Sequence, residues 1–338
     1  MDSAFADSWW CGGACADSID IHYLGVAGFV FRHGAHALVA APSFTNPPMS
    51  ASLFSATFLT RWLTPTLESD TALVRRLMGP DTSGIDAVIV GHGHYDHALD
   101  LPFVATQVAR HASVYGSVST INMIWGDSAV RADSARMVAI PNAKAGTATT
   151  TGDWYYAPGG AFRLMALVAD HAPTLETPVG NYLFAAGRYD ARATRLPRTA
   201  ADWRLGQPLA YLIDVLVPGA DSVLLRIYYQ DAPTTPPLGF PPRAELDRRG
   251  VDVAILCVAT ATHVPSTPEG ILAAMHPRGV VGGHWESFFR RQSAPIAINP
   301  MSDTGRFART VLGSATPAPR YWLPRPQQVL SVGIRSRP

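Results

Sequence analysis

An α/β fold is predicted by three features of the chain. Short aliphatic and β-branched runs recur and break into polar loops, as residues 85–90 do before Gly91 and residues 223–229 do before Asp231. Segments that read as helices stand between them, such as 68–78 and 98–110, the latter with Leu99, Phe103, Val104 and Val108 as its apolar residues. The composition, 47% hydrophobic and 16% charged over 338 residues, supports a sizeable core and one large domain with insertions.

The same numbers exclude several classes of function. A formal net charge of +1 gives no electrostatic footprint for nucleic acid. No stretch of about 20 unbroken apolar residues occurs, so no transmembrane helix is expected. Cys11, Cys15 and Cys257 lack the spacing of a zinc finger. Cys11 and Cys15 flank a Gly-Gly pair, where a disulfide is geometrically demanding. Cys257 lies in the apolar run 253–258 and reads as a buried, inert thiol. The first residues have neither the basic end nor the apolar core of a signal peptide. Read as a trimmed mature start, and together with Cys11 and Cys15, they favour a periplasmic or secreted place over a cytoplasmic one.

In chain order, residues 1–18 read as an irregular arm that packs Trp9 and Trp10 on the body. Residues 19–31 alternate towards β structure, and a hairpin turns at His33-Gly34-Ala35 and returns through Ala37-Leu38-Val39. Residues 46–66 place Leu53, Phe54, Phe58, Leu59, Trp62 and Leu63 at spacings of three and four. That pattern suits an amphipathic helix packed on its own domain, with a lid or lipid-contact wall as the alternative. The run 85–90 then delivers His92, His94, Asp96 and His97 within six positions, an H-x-H-x-D-H spacing. Imidazole suits zinc, iron and other first-row metals, and a carboxylate suits a harder second ion. A loop at the C-terminal end of a strand is the usual place for a site in an α/β sheet.

Beyond it, 98–110 is expected as a helix ending at His111, where a basic group favours the helix dipole. A short strand at 114–116, a helix at 117–125 and a weakly patterned insertion at 126–160 come next. The strand-like run 161–168 ends in Asp170-His171, and 172–208 reads as a second insertion. Strands at 210–214 and 223–229 succeed it, the latter running into Asp231 and a loop, 233–242, with five prolines. A helix at 245–249, a strand at 251–258, a loop with His263 and a helix ending at His276 lead to the glycine-tight strand 279–283, which presents His284. The main domain is expected over 19–314, with the Pro- and Arg-rich tail 315–338 wrapped on the body.

His92-Gly93-His94-Tyr95-Asp96-His97 resembles the signature of the metallo-β-lactamase superfamily, whose fold is a four-layer αβ/βα sandwich. The order of motifs extends the resemblance over roughly 19–290. It implies one metal on His92, His94 and His171, with Asp170 as rival to His171. It implies a second on Asp96, His97 and His284, with Asp231 bridging. The implied cofactors are two divalent ions, zinc before iron or manganese. The implied nucleophile is a bridging hydroxide that Asp96 helps to orient. Tyr95, Trp285 and Phe288 are expected to touch substrate, and His263 and His276 to be structural or substrate-facing. One departure stands out: Ala40-Ala41-Pro42-Ser43-Phe44 lacks the aspartate that often precedes this segment in the family, which removes a carboxylate that could orient a ligand.

The histidine set and His284-Trp285 resemble the branch of N-acyl-phosphatidylethanolamine phospholipase D and related hydrolases. That implies a phosphoester substrate, a phosphodiester or a phospholipid-like molecule. A lactone or β-lactam hydrolase, a non-catalytic metal-binding scaffold, and a di-iron protein working with a flavin partner are the alternatives. The expected partner is a small-molecule or lipid-like substrate, and the sequence sets no oligomeric state.

Overall fold

The strand His36–Ala40 shows how one segment serves two cores. Leu38 and Ala40 point into one apolar cluster, and Ala37 and Val39 into another. Ile85–Ile89 beside it does the same, with Ala87 and Ile89 on one side and Val88 on the other. Alternating side chains cover both faces of a sheet, so continuous apolar runs mean burial on both faces. The computed structural model describes residues 10–11, 18–51, 66–172 and 186–334. The amphipathic segment 52–65, Trp9 and Cys15 lie outside the described residues, as do the side chains of Trp10 and Cys11.

Two mixed sheets face each other. The first holds Trp10–Cys11 (β1), Ser18–Gly25 (β2), Gly28–His33 (β3), His36–Ala40 (β4), Ile85–Ile89 (β5), Ser113–Ser117 (β6) and Met137–Ile140 (β7). The second holds Tyr155–Tyr156 (β8), Phe162–Val168 (β9), Leu209–Leu216 (β10), Val223–Tyr229 (β11), Val253–Cys257 (β12), Gly279–Gly283 (β13) and Arg320–Trp322 (β14). The last strand, Val329–Gly333 (β15), returns to the first sheet, giving the orders β1-β15-β2-β3-β4-β5-β6-β7 and β14-β13-β12-β11-β10-β9-β8. Each sheet is antiparallel on one side and parallel on the other, with β4 to β7 parallel in the first and β11 to β14 parallel in the second.

The inward faces form the central core around Phe29, Phe31, Ile213, Ile227 and Ile255. Tyrosines tie the layers together: Tyr211 Oη donates to Val90 O at 2.8 Å and Tyr229 Oη to Ala27 O at 2.9 Å. Helices cover the outer faces. On the first sheet lie Thr71–Met78 (α1), whose N-cap Asp70 accepts from Leu73 N, Tyr95–Ala98 (α2) and Leu101–Phe103 (α3). Val118–Ile124 (α4) completes that layer, and Ser128–Ala132 (α5) comes after it. Arg243–Arg248 (α6) precedes β12, while Glu269–Met275 (α7) and Thr304–Leu312 (α8) bury Ile271, Leu272, Phe307 and Val311 against the second sheet. The result is a four-layer αβ/βα sandwich.

Two expectations are corrected. The single helix 98–110 is broken: α2 stops, α3 starts with Pro102 in its first turn, and Val104–Val108 opens into a π-helical turn. Proline lacks the N–H that would continue the upstream helix. The tail from 315 does not merely wrap the body. β14 extends the second sheet, and β15 inserts between β1 and β2 with Leu330 and Val332 buried.

Candidate metal centre

All seven predicted ligands lie at or just beyond the C-terminal ends of strands, on the edge where both sheets open. His92, His94, Asp96 and His97 follow β5, His171 follows β9, Asp231 follows β11 and His284 follows β13. His94 is the N-cap of α2, so Asp96 and His97 sit in its single turn. Gly93 N–H donates to Leu205 O at 3.0 Å, which seats the loop against the segment before β10.

The side chains gather in three overlapping groups: His92, His94 and His171; His92, His97 and Asp231; Asp96, His97 and His284. Within each group the ligand atoms lie within 4.8 Å of one another. The first three imidazoles are mutually edge-on, with centroids 4.8, 4.9 and 5.0 Å apart. In the last group His97 Nε2 and His284 Nε2 lie 3.4 and 3.3 Å from Asp96 Oδ2. Asp231 sits at the junction, with Oδ1 3.0 Å from His92 Nδ1 and Oδ2 3.6 Å from His97 Nδ1. Gly91 N–H donates to Asp231 Oδ2 at 2.9 Å. A Cβ on Gly91 would fall 2.2 Å from both carboxylate oxygens, so only glycine fits there.

The residues fit metal ions by a direct test. His92 Nε2, His94 Nε2 and His97 Nδ1 are buried without a hydrogen-bond partner among the described residues. Buried polar atoms are normally paired, so such a cluster calls for a ligand. Charge agrees. Burial, followed by the neighbouring imidazoles, pushes His92 and His94 well below the usual imidazole range. Burial also lowers His171. These rings are therefore neutral, the state that coordinates a metal. Burial would raise Asp96, but His97 and His284 overcome it and hold the carboxyl well below the usual range. Burial would lower His97, but Asp96 and Asp231 raise it. Burial raises Asp231 despite the imidazoles around it. His171 Nδ1 lies 2.8 Å from Ala172 O, which fixes its tautomer and turns Nε2 to the other rings.

The rival Asp170 is exposed and spends Oδ1 on His171 N–H. Trp285 is corrected: it is buried in the large apolar cluster, and its Nε1 donates to Pro324 O at 2.7 Å. An indole with apolar neighbours and one carbonyl for its N–H has its polar tip satisfied within the protein. Tyr95 is also buried, 6.3 Å centroid to centroid from Phe288. Phe288 stands edge-on to His284 at 5.2 Å and lies tilted against Phe289 at 4.1 Å, beside the centre. His111, His263 and His276 join none of the clusters.

Sequence reasoning missed two buried carboxylates near the centre. Asp100 accepts from Phe44 N (2.6 Å), Thr45 N (2.8 Å), Thr45 Oγ1 (2.8 Å) and Ser69 Oγ (2.5 Å). It ties the helical side of the ligand loop to the segment after β4, where Ala41 brings no carboxylate of its own and takes a positive φ of 38°. Glu286 bonds Tyr23 and Val26 on the opposite side. A signal for Asp100 was present in the spacing His97-Ala98-Leu99-Asp100, an aspartate inside an apolar helical run.

Comparison with known proteins bears on the fold. No protein-family model and no curated protein matches the chain. Among solved structures, Igni18, a metallo hydrolase from the archaeon Ignicoccus hospitalis, is similar over 94% of this chain and 100% of its own, with 14% identity and a TM-score of 0.52. The chain has the metallo-β-lactamase fold. CmlA, a diiron β-hydroxylase from Streptomyces venezuelae, is similar over 95% of this chain and 55% of its own, at 12% identity and a TM-score of 0.50. YhfI from Bacillus subtilis, a metallo-β-lactamase fold protein, is 14% identical over 93% of this chain and 99% of its own, with a TM-score of 0.47. In the metallo-β-lactamase fold as this chain builds it, each sheet supplies part of the donor set, and neither supplies all of it.

Proposed function

We propose that the chain is a dinuclear metal-dependent hydrolase acting on a phosphoester with an apolar or lipid-like group. The observation that carries this reading is the meeting of two donor trios at one shared carboxylate, Asp231. His92, His94 and His171 would hold one ion, Asp96, His97 and His284 the other, and Asp231 both. Two divalent ions, when bound, supply Lewis acidity and water acidified towards neutrality. Asp96 stays ionised between His97 and His284 and serves as a ligand and as a hydrogen-bond acceptor facing the reacting side. Phe288 and Phe289 give an apolar wall next to His284, and the exposed Arg290 and Arg291 continue that loop with positive charge. An anionic ester with an apolar substituent matches that order of groups.

A second reading is oxidative. The same imidazole and carboxylate donors accept iron, and CmlA, similar in fold, is a diiron β-hydroxylase. The experiment that separates the readings is elemental analysis of purified protein, paired with assays on a bis-aryl phosphodiester, an aryl phosphotriester, a lactone and a β-lactam. About two ions per chain with phosphoester turnover is the expected result. Turnover of the lactone or lactam alone would move the substrate, two irons without hydrolysis would support the oxidative reading, and absence of metal after reconstitution would leave a scaffold. Asp231→Ala is expected to empty both positions together, from about two ions per chain to well below one. Loss of a single ion would remove Asp231 from the shared position.

A further inference from the structure

We infer that Tyr23 and Glu286 are positioning residues for His284 and, through it, for the ion held by Asp96, His97 and His284. The inference rests on the proposed ligand set. His284 leaves β13 with a φ of 57°, in the left-handed region that a side chain other than glycine's disfavours. Such a conformation persists only where its surroundings hold it. Here the hold is a buried clamp reaching from the opposite end of the chain.

His284 N–H donates to Val26 O at 2.5 Å and lies 3.1 Å from Tyr23 Oη. Tyr23 Oη is 2.5 Å from Glu286 Oε2 and 2.7 Å from Val26 O. Glu286 Oε1 accepts Val26 N–H at 2.6 Å. Val26 itself has a φ of 55°, so the clamp joins two left-handed residues. Tyr23, Val26, His284 and Glu286 are all buried. The turn before Val26 admits this approach because Gly25, at φ 111°, has no side chain; a Cβ there would lie 2.8 Å from Gln292 Nε2 and 3.3 Å from Glu286 Oε1.

Two comparisons give the clamp a purpose. His171 is oriented through its ring, by Nδ1 against Ala172 O. The ring of His284 has no such partner on Nδ1 among the described residues. A metal-binding histidine usually has its other ring nitrogen held; His284 is fixed from its backbone instead. Moreover, an apolar side chain at 286 would fill the space without the cost of burying a carboxyl group. A bonded carboxyl there specifies one geometry.

The test uses the metal-free full chain titrated with Co2+, followed by visible absorption and ion counting, with a thermal melt of each metal-free variant. In a His94→Ala background the Asp96–His97–His284 position is the one left complete. There, adding Tyr23→Phe, which keeps the ring, is expected to weaken Co2+ binding roughly 10- to 100-fold. In a His97→Ala background the same change is expected to leave the affinity of the His92–His94–His171 position unaltered. Glu286→Gln, which keeps the shape, is expected to retain more affinity than Glu286→Ala, and it carries the test should Tyr23→Phe not fold. Equal weakening at both positions, or a lower melting temperature with affinities unchanged, would reduce the clamp to ordinary packing. Fewer than two Co2+ ions on the unmutated chain would overturn the ligand reading, and the inference with it.

Discussion

Gly91 and Asp231 meet across 140 positions of sequence, and their contact sets a sharp condition on the site. Gly91→Ala places a methyl group into the Asp231 carboxylate. The expected outcome is a fall from about two ions per chain to less than one, together with a lower melting temperature; elemental analysis and calorimetry check both. At this scale the sequence is most legible where ligands are contiguous. His92, His94, Asp96 and His97 announce themselves because four donors in six positions have no ordinary structural explanation. His171, Asp231 and His284 stand alone in sequence, and only their places at strand ends tie them to the motif. Tyr23 and Glu286 were not legible at all, since neither carries a local pattern and they lie 263 positions apart. Trp285 misled for a related reason: adjacency to a candidate ligand says nothing about where the next side chain goes, and the left-handed φ of 57° at His284 turns the chain between the two.

Elements were legible where burial on both faces makes a run uniformly apolar, as in β5, β9 and β12. They were not where the strand is short and partnered at a distance. β15 hides in a proline- and arginine-rich tail because its alternation of exposed Val329, buried Leu330, half-buried Ser331 and buried Val332 is only a few residues long. The three strands β9, β10 and β11 carry a further feature at this scale. Asp214 stands in register with Arg226 on one side and Arg163 on the other. It accepts from Arg226 Nε at 2.6 Å and Nη2 at 2.9 Å and from Arg163 Nε at 2.9 Å. Arg226 is buried, so Asp214→Ala would remove its closest counter-charge and leave only Glu245, whose Oε2 is 3.8 Å from Nη2. The expected loss is about 3–5 kcal/mol of stability, read from the denaturation midpoint, and Asp214→Asn should lose less.

The whole molecule is two sheets with a donor set divided between them. Four donors follow β5 of the first sheet; His171, Asp231 and His284 follow strands of the second. Ions bound there would link the sheets, so chelation is expected to lower stability by about 4 kcal/mol for each ion present at a thousand times its Kd. Melting curves with and without chelator measure this. The α/β class was legible from the recurring strands and helices and the four-layer architecture only through the resemblance carried by the H-x-H-x-D-H motif, while the return of β15 to the first sheet was not, because nothing local to residues 329–333 says which sheet they join. The split donor set also orders events during synthesis. The growing chain presents its H-x-H-x-D-H loop early, yet the final donor is His284 and the strand that flanks β2 is made later still. Metal capture in the finished geometry therefore waits until residue 284 has been made and folded into place, and a nascent chain that stalls just before it carries six of the seven candidate donors without the one that closes the second trio.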